Sequence, residues 1–293
     1  MTELAARAED HPRRVHVLRP PTFSPLAIGT HLRELWRYRD LLITLTEHRI
    51  KVRYKQSVLG IAWSVLQPLA LMLIYTVLFS LMARMPSDGV PYAVFTYTAL
   101  LPWTTFANAL GSATNGLTGN AALITKVYFP REILPLSYII AALVDFALAS
   151  LVLAGLLIYN HIAPTINLLY VFPIMLLMLV FALCVGLCLS SLQVRFRDVG
   201  VGLPLVLQVW MFATPVVYPL STILQSARIP AEVKFIYELN PMVSIVENFR
   251  RVVLLGKAPD FRSLAFATTV SLLLLPLAYA YFKRTEATMA DTI

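Results

Sequence analysis

From Ser57 to Ala83 the chain runs for 27 residues without a charged side chain. A helix needs roughly 20 consecutive apolar residues to cross the hydrocarbon core of a bilayer, so this run is long enough to span one. Immediately before it Arg49, Lys51, Arg53 and Lys55 stand at every second position, and Arg84 closes it at the far end. Each basic residue beside an anionic cytoplasmic leaflet contributes about 1 kcal/mol, which assigns the Arg49 to Lys55 end to the cytoplasm. The composition agrees with a membrane chain: 58% of residues are hydrophobic and 14% charged, against roughly 25% charged in soluble domains. The net charge of +8 does not signal nucleic acid. Its Lys and Arg lie between apolar runs, as the positive-inside rule requires of a membrane protein.

Taken in order, the chain reads as an all-α integral membrane protein with six transmembrane helices. Residues 1–28 are polar, contain Pro12, Pro20, Pro21 and Pro25, and lack the apolar core of a secretory signal, which predicts a flexible cytoplasmic tail. Residues 29–56 are expected to form an N-terminal amphipathic interface helix. Arg33, Arg37, Asp40, Thr44, Glu47 and Lys51 recur at three- and four-residue steps, while Leu35, Trp36, Leu42 and Ile43 lie off that stripe. A solvated helix packed on a soluble partner is the alternative for this segment.

The remaining residues, 57–293, supply the six-helix domain, with spans expected at 57–83, 92–111, 133–159, 166–192, 200–220 and 263–282. Six crossings put both termini in the cytoplasm and 17 of the 24 Lys and Arg on that side. Six of the other seven fall in one external loop, 221–262, so that loop is expected to fold rather than merely connect. Its piece NPMVSIVENF has helical spacing but is too short to span, which predicts a re-entrant helical element between spans five and six, tolerated where protein covers it.

Asp145 is the one acid within an expected span. At the membrane centre it would cost roughly 2.5 to 3.5 kcal/mol, so it must face protein or water. With no Lys, Arg or His inside the spans, a structural hydrogen bond fits it better than a proton relay. Cys184 and Cys188 sit four apart on an apolar run and read as packing residues, and the five His are scattered, so no metal site is expected. Pro68, Pro102, Pro173, Pro215 and Pro276 are expected to kink their helices.

Five segments, in fixed order, carry a resemblance: RYKQSVLGIAWSVLQP (Arg53 to Pro68), LPWTTFANAL (Leu101 to Leu110), ITKVYFPREILP (Ile124 to Pro135), RDVGVGLPLVLQVWMFATPVVYP (Arg197 to Pro219), and NPM followed by ENFR (Asn240 to Met242, Glu247 to Arg250). On these the chain resembles the membrane permease subunit of bacterial polysaccharide exporters of the ATP-binding-cassette type. That group includes O-antigen, capsule and teichoic-acid permeases.

The resemblance implies a homodimer in the bacterial inner membrane, with a channel at the dimer interface and two copies of a separate ATPase bound beneath. It also implies a cytoplasmic coupling helix near 119–135 that docks on the ATPase through Lys126, Val127, Tyr128, Phe129, Pro130, Arg131 and Glu132. An external gate would involve Asn240, Pro241, Glu247 and Arg250. No G-x-x-x-x-G-K-[ST] phosphate loop occurs in the chain, so ATP and Mg are expected in the partner, with no cofactor and no catalytic residue here. The transported species would be an undecaprenyl-diphosphate-linked polysaccharide. Arg49, Lys51, Arg53 and Lys55 could position its diphosphate where it approaches, although lipid-headgroup anchoring accounts for them equally. Tyr75, Phe79, Tyr97, Trp103, Phe106, Trp210, Phe212 and Tyr218 could line a channel, because aromatic faces stack on the C–H faces of sugars; interfacial anchoring or packing is the alternative. A small-molecule or lipid exporter of the same architecture stays open, whereas an ion-coupled carrier or membrane enzyme would need more acids, His or Lys inside the spans.

Overall fold

The computed structural model describes residues 28–55, 60 and 62–292, and all regular structure among them is helical. The expected tail, Ile28 excepted, and the first residues of the expected first span lie outside the described residues. A bilayer imposes this outcome, since backbone N–H and C=O groups in hydrocarbon must be satisfied within the segment.

The stretch expected to be one amphipathic helix forms two, α1 (Ile28–Arg37) and α2 (Arg39–Lys55), and only the first has its apolar residues gathered on one face. The amide of Tyr38 donates to the Glu34 carbonyl and that of Leu42 to the Tyr38 carbonyl, so helical bonding carries through the junction. Then come α3 (Ala62–Tyr75), which continues as a π-helical stretch Thr76–Met82, and α4 (Tyr92–Thr114). A 3-10 turn, Thr118–Asn120, leads into α5 (Ala121–Lys126), followed by α6 (Ile133–Tyr159) and, after a second 3-10 turn Ile166–Tyr170, α7 (Val171–Arg195). The chain closes with α8 (Asp198–Phe212), α9 (Leu220–Leu224), α10 (Ala231–Glu238), α11 (Pro241–Val253) and α12 (Phe261–Thr292).

Among the described residues four helical stretches are long and apolar enough to cross a membrane: Ala62–Met82, Ile133–Tyr159, Ile166–Arg195 and Phe261–Glu286. The fifth long helix, α4, spans roughly 34 Å at 1.5 Å per residue but is studded with Thr. It tolerates them because it is the hub of the bundle, packed against α3, α6, α7, α8 and α11. Three of its hydroxyls are satisfied within the helix: Thr98, Thr104 and Thr105 donate to the carbonyls of Val94, Leu100 and Leu101 at 2.7 to 2.8 Å.

The expected fifth span, 200–220, differs from α8, which stops at Phe212 after 15 residues. The cause is local. Pro215 has no amide to continue a helix, and the Arg250 guanidinium captures the carbonyls of Pro215 and Val216 at 2.6 and 3.2 Å. Pro215 therefore ends a helix rather than kinking one. Pro68, Pro102 and Pro276 do sit inside helices, while Pro173 falls in the first turn of α7, where no hydrogen bond is lost. The short α11 begins as its sequence dictates: Asn240 caps it by accepting from the Met242 amide at 3.1 Å, with Pro241 at the first helical position. It then packs against α4, α7 and α12.

Two apolar clusters hold the bundle. The larger gathers α4, α6, α7, α8 and α11 around Phe95, Tyr97, Phe106 and Phe249; the smaller joins Leu117, Phe129 and Ile133 to Cys184, Leu187 and Phe282. Both cysteines are free thiols, and Cys184 is buried in this second cluster, as a packing role requires.

Candidate functional site

A cleft of about 460 Å³ opens between α3, α4, α6 and α8. Helical periodicity builds each wall from one face. On α4 the stripe is Thr104, Asn108, Gly111 and Ser112, extended by Asn115 at the helix end; on α6 it is Asp145 and Ala149; on α8 it is Gly200, Leu203, Pro204 and Leu207; on α3 it is Trp63, Ser64, Gln67 and Pro68. At one corner Asn115 Oδ1 accepts from the Gln193 amide at 3.3 Å, and Gln193 Oε1 accepts from the Gly200 N–H at 2.5 Å. Glycine at 200 lets this corner close as it does: a Cβ there would stand 2.7 Å from Asn115 Oδ1 and 2.9 Å from the Gln193 amide nitrogen, so both side-chain ends would have to shift.

Arg53 and Asp145 pair at the edge of the cleft. Ser64 Oγ donates to the same carboxylate at 2.8 Å, and so does the Tyr54 hydroxyl. Asp145 is thus 8% exposed yet fully partnered. The expectation of a structural hydrogen bond is met by three donors, one of them a cation, that α2 and α3 bring to α6. Burial, followed by the hydrogen bond to Asp145, raises the Tyr54 phenol above its ordinary pKa and keeps it a neutral donor.

The four basic residues separate by face. Arg49 donates to Asn120 Oδ1 at 2.7 Å and lies 4.3 Å over the Tyr138 ring, which ties α2 to the α4–α5 connection and to α6. Arg53, one turn on, is committed to Asp145. Lys51 is exposed and pairs with Glu47 at 3.0 Å, a contact of little energetic weight at the surface, and Lys55 is exposed too. Arg49 and Arg53 therefore clamp α2 to its neighbours, Arg53 while staying exposed at the edge of the cleft, and Lys51 and Lys55 are exposed as well.

Of the aromatic residues singled out from sequence, Tyr75, Tyr97, Trp103 and Phe106 are buried within the subunit. Phe106 stacks on Phe181 with centroids 5.6 Å apart, Trp210 meets both edge-on, and the Tyr97 hydroxyl donates to the Ala149 carbonyl at 2.9 Å. Phe79, Trp210 and Tyr218 are half-buried, and Phe212 is exposed on α8. The aromatic that does face the cleft is Trp63, 54% exposed. Sequence reading passed over it and over the Thr104, Asn108, Ser112 stripe, although polar residues at four-residue steps in an apolar helix were a usable signal.

The segment Lys126 to Glu132 divides in two. Lys126, Val127 and Tyr128 project outward, with Tyr128 75% exposed, whereas Phe129, Pro130 and Glu132 are buried. Glu132 accepts from Lys283 Nζ at 2.8 Å and from the Tyr279 hydroxyl at 2.9 Å, and Lys283 also pairs with Glu286 at 2.8 Å. The Arg131 guanidinium donates to the Glu286 carbonyl at 2.8 Å. An exposed tip thus stands on a pedestal bolted to the end of α12.

At the opposite end of the bundle, Arg250 is buried, pairs with Glu247 at 3.0 Å and lies 3.8 Å over Phe95. Asn240 Nδ2 reaches Thr214 Oγ1 at 3.2 Å, so with its Pro241-started helix it fastens α11 to the segment that follows α8.

Residues 40–254 match the family model described as ABC-2 type transporter. The chain is 34% identical over 263 residues to the O-antigen export system permease protein RfbA of Myxococcus xanthus, covering 89% of this chain and 98% of that protein. It is 29% identical to the protein of the same name from Klebsiella pneumoniae, over 82% of this chain and 90% of that protein. To the polysialic acid transport protein KpsM of Escherichia coli it is 22% identical, over 82% of this chain and 91% of that protein.

Proposed function

Since the chain belongs to the ABC-2 type transporter family, we propose that it is the membrane permease subunit of an ATP-driven exporter that carries an undecaprenyl-diphosphate-linked polysaccharide out of the cytoplasm. Two classes of support converge on that reading: relatives named as O-antigen and polysialic acid transporters, and an all-helical membrane body with a polar cleft in it. The cleft is the observation that carries most, because a glycan passing through hydrocarbon needs hydroxyl and amide partners in place of water.

In this reading α4 and α8 join the four long apolar helices as spans two and five, and the helices α9 to α11 form the external re-entrant element. Both termini are cytoplasmic, and α1 and α2 lie along the inner interface. The protein acts as a homodimer in the inner membrane with two ATPase subunits, which hold the ATP and Mg. The exposed tip Lys126, Val127 and Tyr128 meets the ATPase. Lys51 and Lys55 attract the lipid diphosphate once per chain, and Asn240, Pro241, Glu247 and Arg250 set the resting position of the outer gate.

Deleting the gene in its host tests the function directly. Surface polysaccharide is expected to vanish while lipid-linked polymer accumulates in the cytoplasm. Intact surface polysaccharide would reassign the chain to the export of a small molecule or lipid.

A further inference from the structure

We infer that the transported polymer is an uncharged glycan, with no carboxylate or phosphate in its repeating unit; this rests on the reading of the cleft as part of the transport path.

Among the described residues that line the cleft, two are charged, Arg53 and Asp145, and they neutralise each other. The remaining polar lining is Ser64, Gln67, Thr104, Thr105, Asn108, Ser112 and Asn115, all hydroxyl or carboxamide. Hydroxyls and carboxamides both donate and accept. They match the hydroxyls of a neutral sugar, which do the same, while Trp63 offers an apolar face for ring C–H groups.

A polymer with an acid in every repeat would make a different demand. Paths for anions are lined with rings of Arg or Lys, because a charge leaving water needs a partner at each stage. Here the one lining cation is already held by Asp145. An anion that drew Arg53 away would leave a carboxylate, itself nearly buried, without its cation, and the two charges would repel. The outward-facing Lys51 and Lys55 on α2 suit a single diphosphate at the end of a chain rather than a charge that recurs along it.

The test uses polymer accumulated in the cytoplasm of the deletion strain, released from its lipid by mild acid and analysed for monosaccharides and phosphate. A repeating unit without uronic acid, sialic acid or phosphate is the expected result. An acidic group in each repeat, in a strain whose surface polysaccharide is lost, would overturn the inference and leave the export function standing. Surface polysaccharide unaffected by the deletion would overturn both. A second variant, Asn108→Leu with Ser112→Ala, should lower export while the ATPase still co-purifies. Unchanged export would take the cleft out of the path and remove the basis for a neutral substrate.

Discussion

At the residue scale the decisive group is the Asp145 carboxylate. Its need for a partner was legible from one acid in a long apolar run. The partner was not, because Arg53 lies 92 residues away in sequence and alternates with cations whose simplest role is to mark the cytoplasmic side. Removing one member of a buried pair strands the other, at about 3 to 5 kcal/mol. Because the Arg53 side chain is 35% exposed, the expected loss for Arg53→Ala is nearer about 2 kcal/mol. Arg53→Ala combined with Asp145→Asn should recover most of that loss, since an amide can be satisfied by Tyr54 and Ser64 without a counter-ion. Thermal unfolding of the two variants in one detergent decides it. If the single and double variants melt together, the ion pair is not what holds α2 to α6.

Helix by helix, the sequence located what hydropathy governs and missed what tertiary capture governs. The limits of α6 coincide with the expected third span, because a charge cluster precedes it and its one proline, Pro135, falls in the first turn where no helical hydrogen bond is lost. The length of α8 was not legible, since its end depends on Arg250 reaching back from α11 to the carbonyls after Phe212. The attachment of α2 was equally hidden, and it turns on Gly116. A Cβ there would stand 2.9 Å from the Tyr138 ring, which is the ring that carries Arg49 on its face. Asn120, the other partner of Arg49, also donates to the Gly116 carbonyl at 2.6 Å. Gly116→Ala should therefore push Tyr138 aside and loosen α2, with a cost of about 1 to 3 kcal/mol expected for overpacking. Tryptic cleavage at the exposed Lys51 and Lys55 of α2 should accelerate in the variant relative to the parent. An unchanged cleavage rate would show that Tyr138 can move without releasing Arg49.

For the whole molecule the question is how a force applied by an ATPase outside the membrane would reach the bundle, and the proposed docking of that ATPase on the exposed tip Lys126 to Tyr128 offers one route. The tip is exposed and makes no contribution to the apolar clusters, whereas the pedestal is tied through Glu132, Lys283 and Glu286 to α12, a helix of 32 residues that packs along α7 and α11. Under that proposal a push on the tip would travel through the buried charge cluster. Two variants should then separate docking from transmission. Val127→Ser with Tyr128→Ala alters only exposed surface, so the melting temperature should hold while ATPase co-purification falls. Glu132→Gln weakens the hold on Lys283, so the melting temperature should drop by several degrees for a loss of about 1 to 3 kcal/mol. Its ATPase should still co-purify, and less polymer should be exported per ATP hydrolysed. The pedestal would be mere scaffolding if Glu132→Gln lowered stability but left that ratio unchanged, and force would then have to enter the bundle through α2, whose Arg49 and Arg53 grip α6 from the other side.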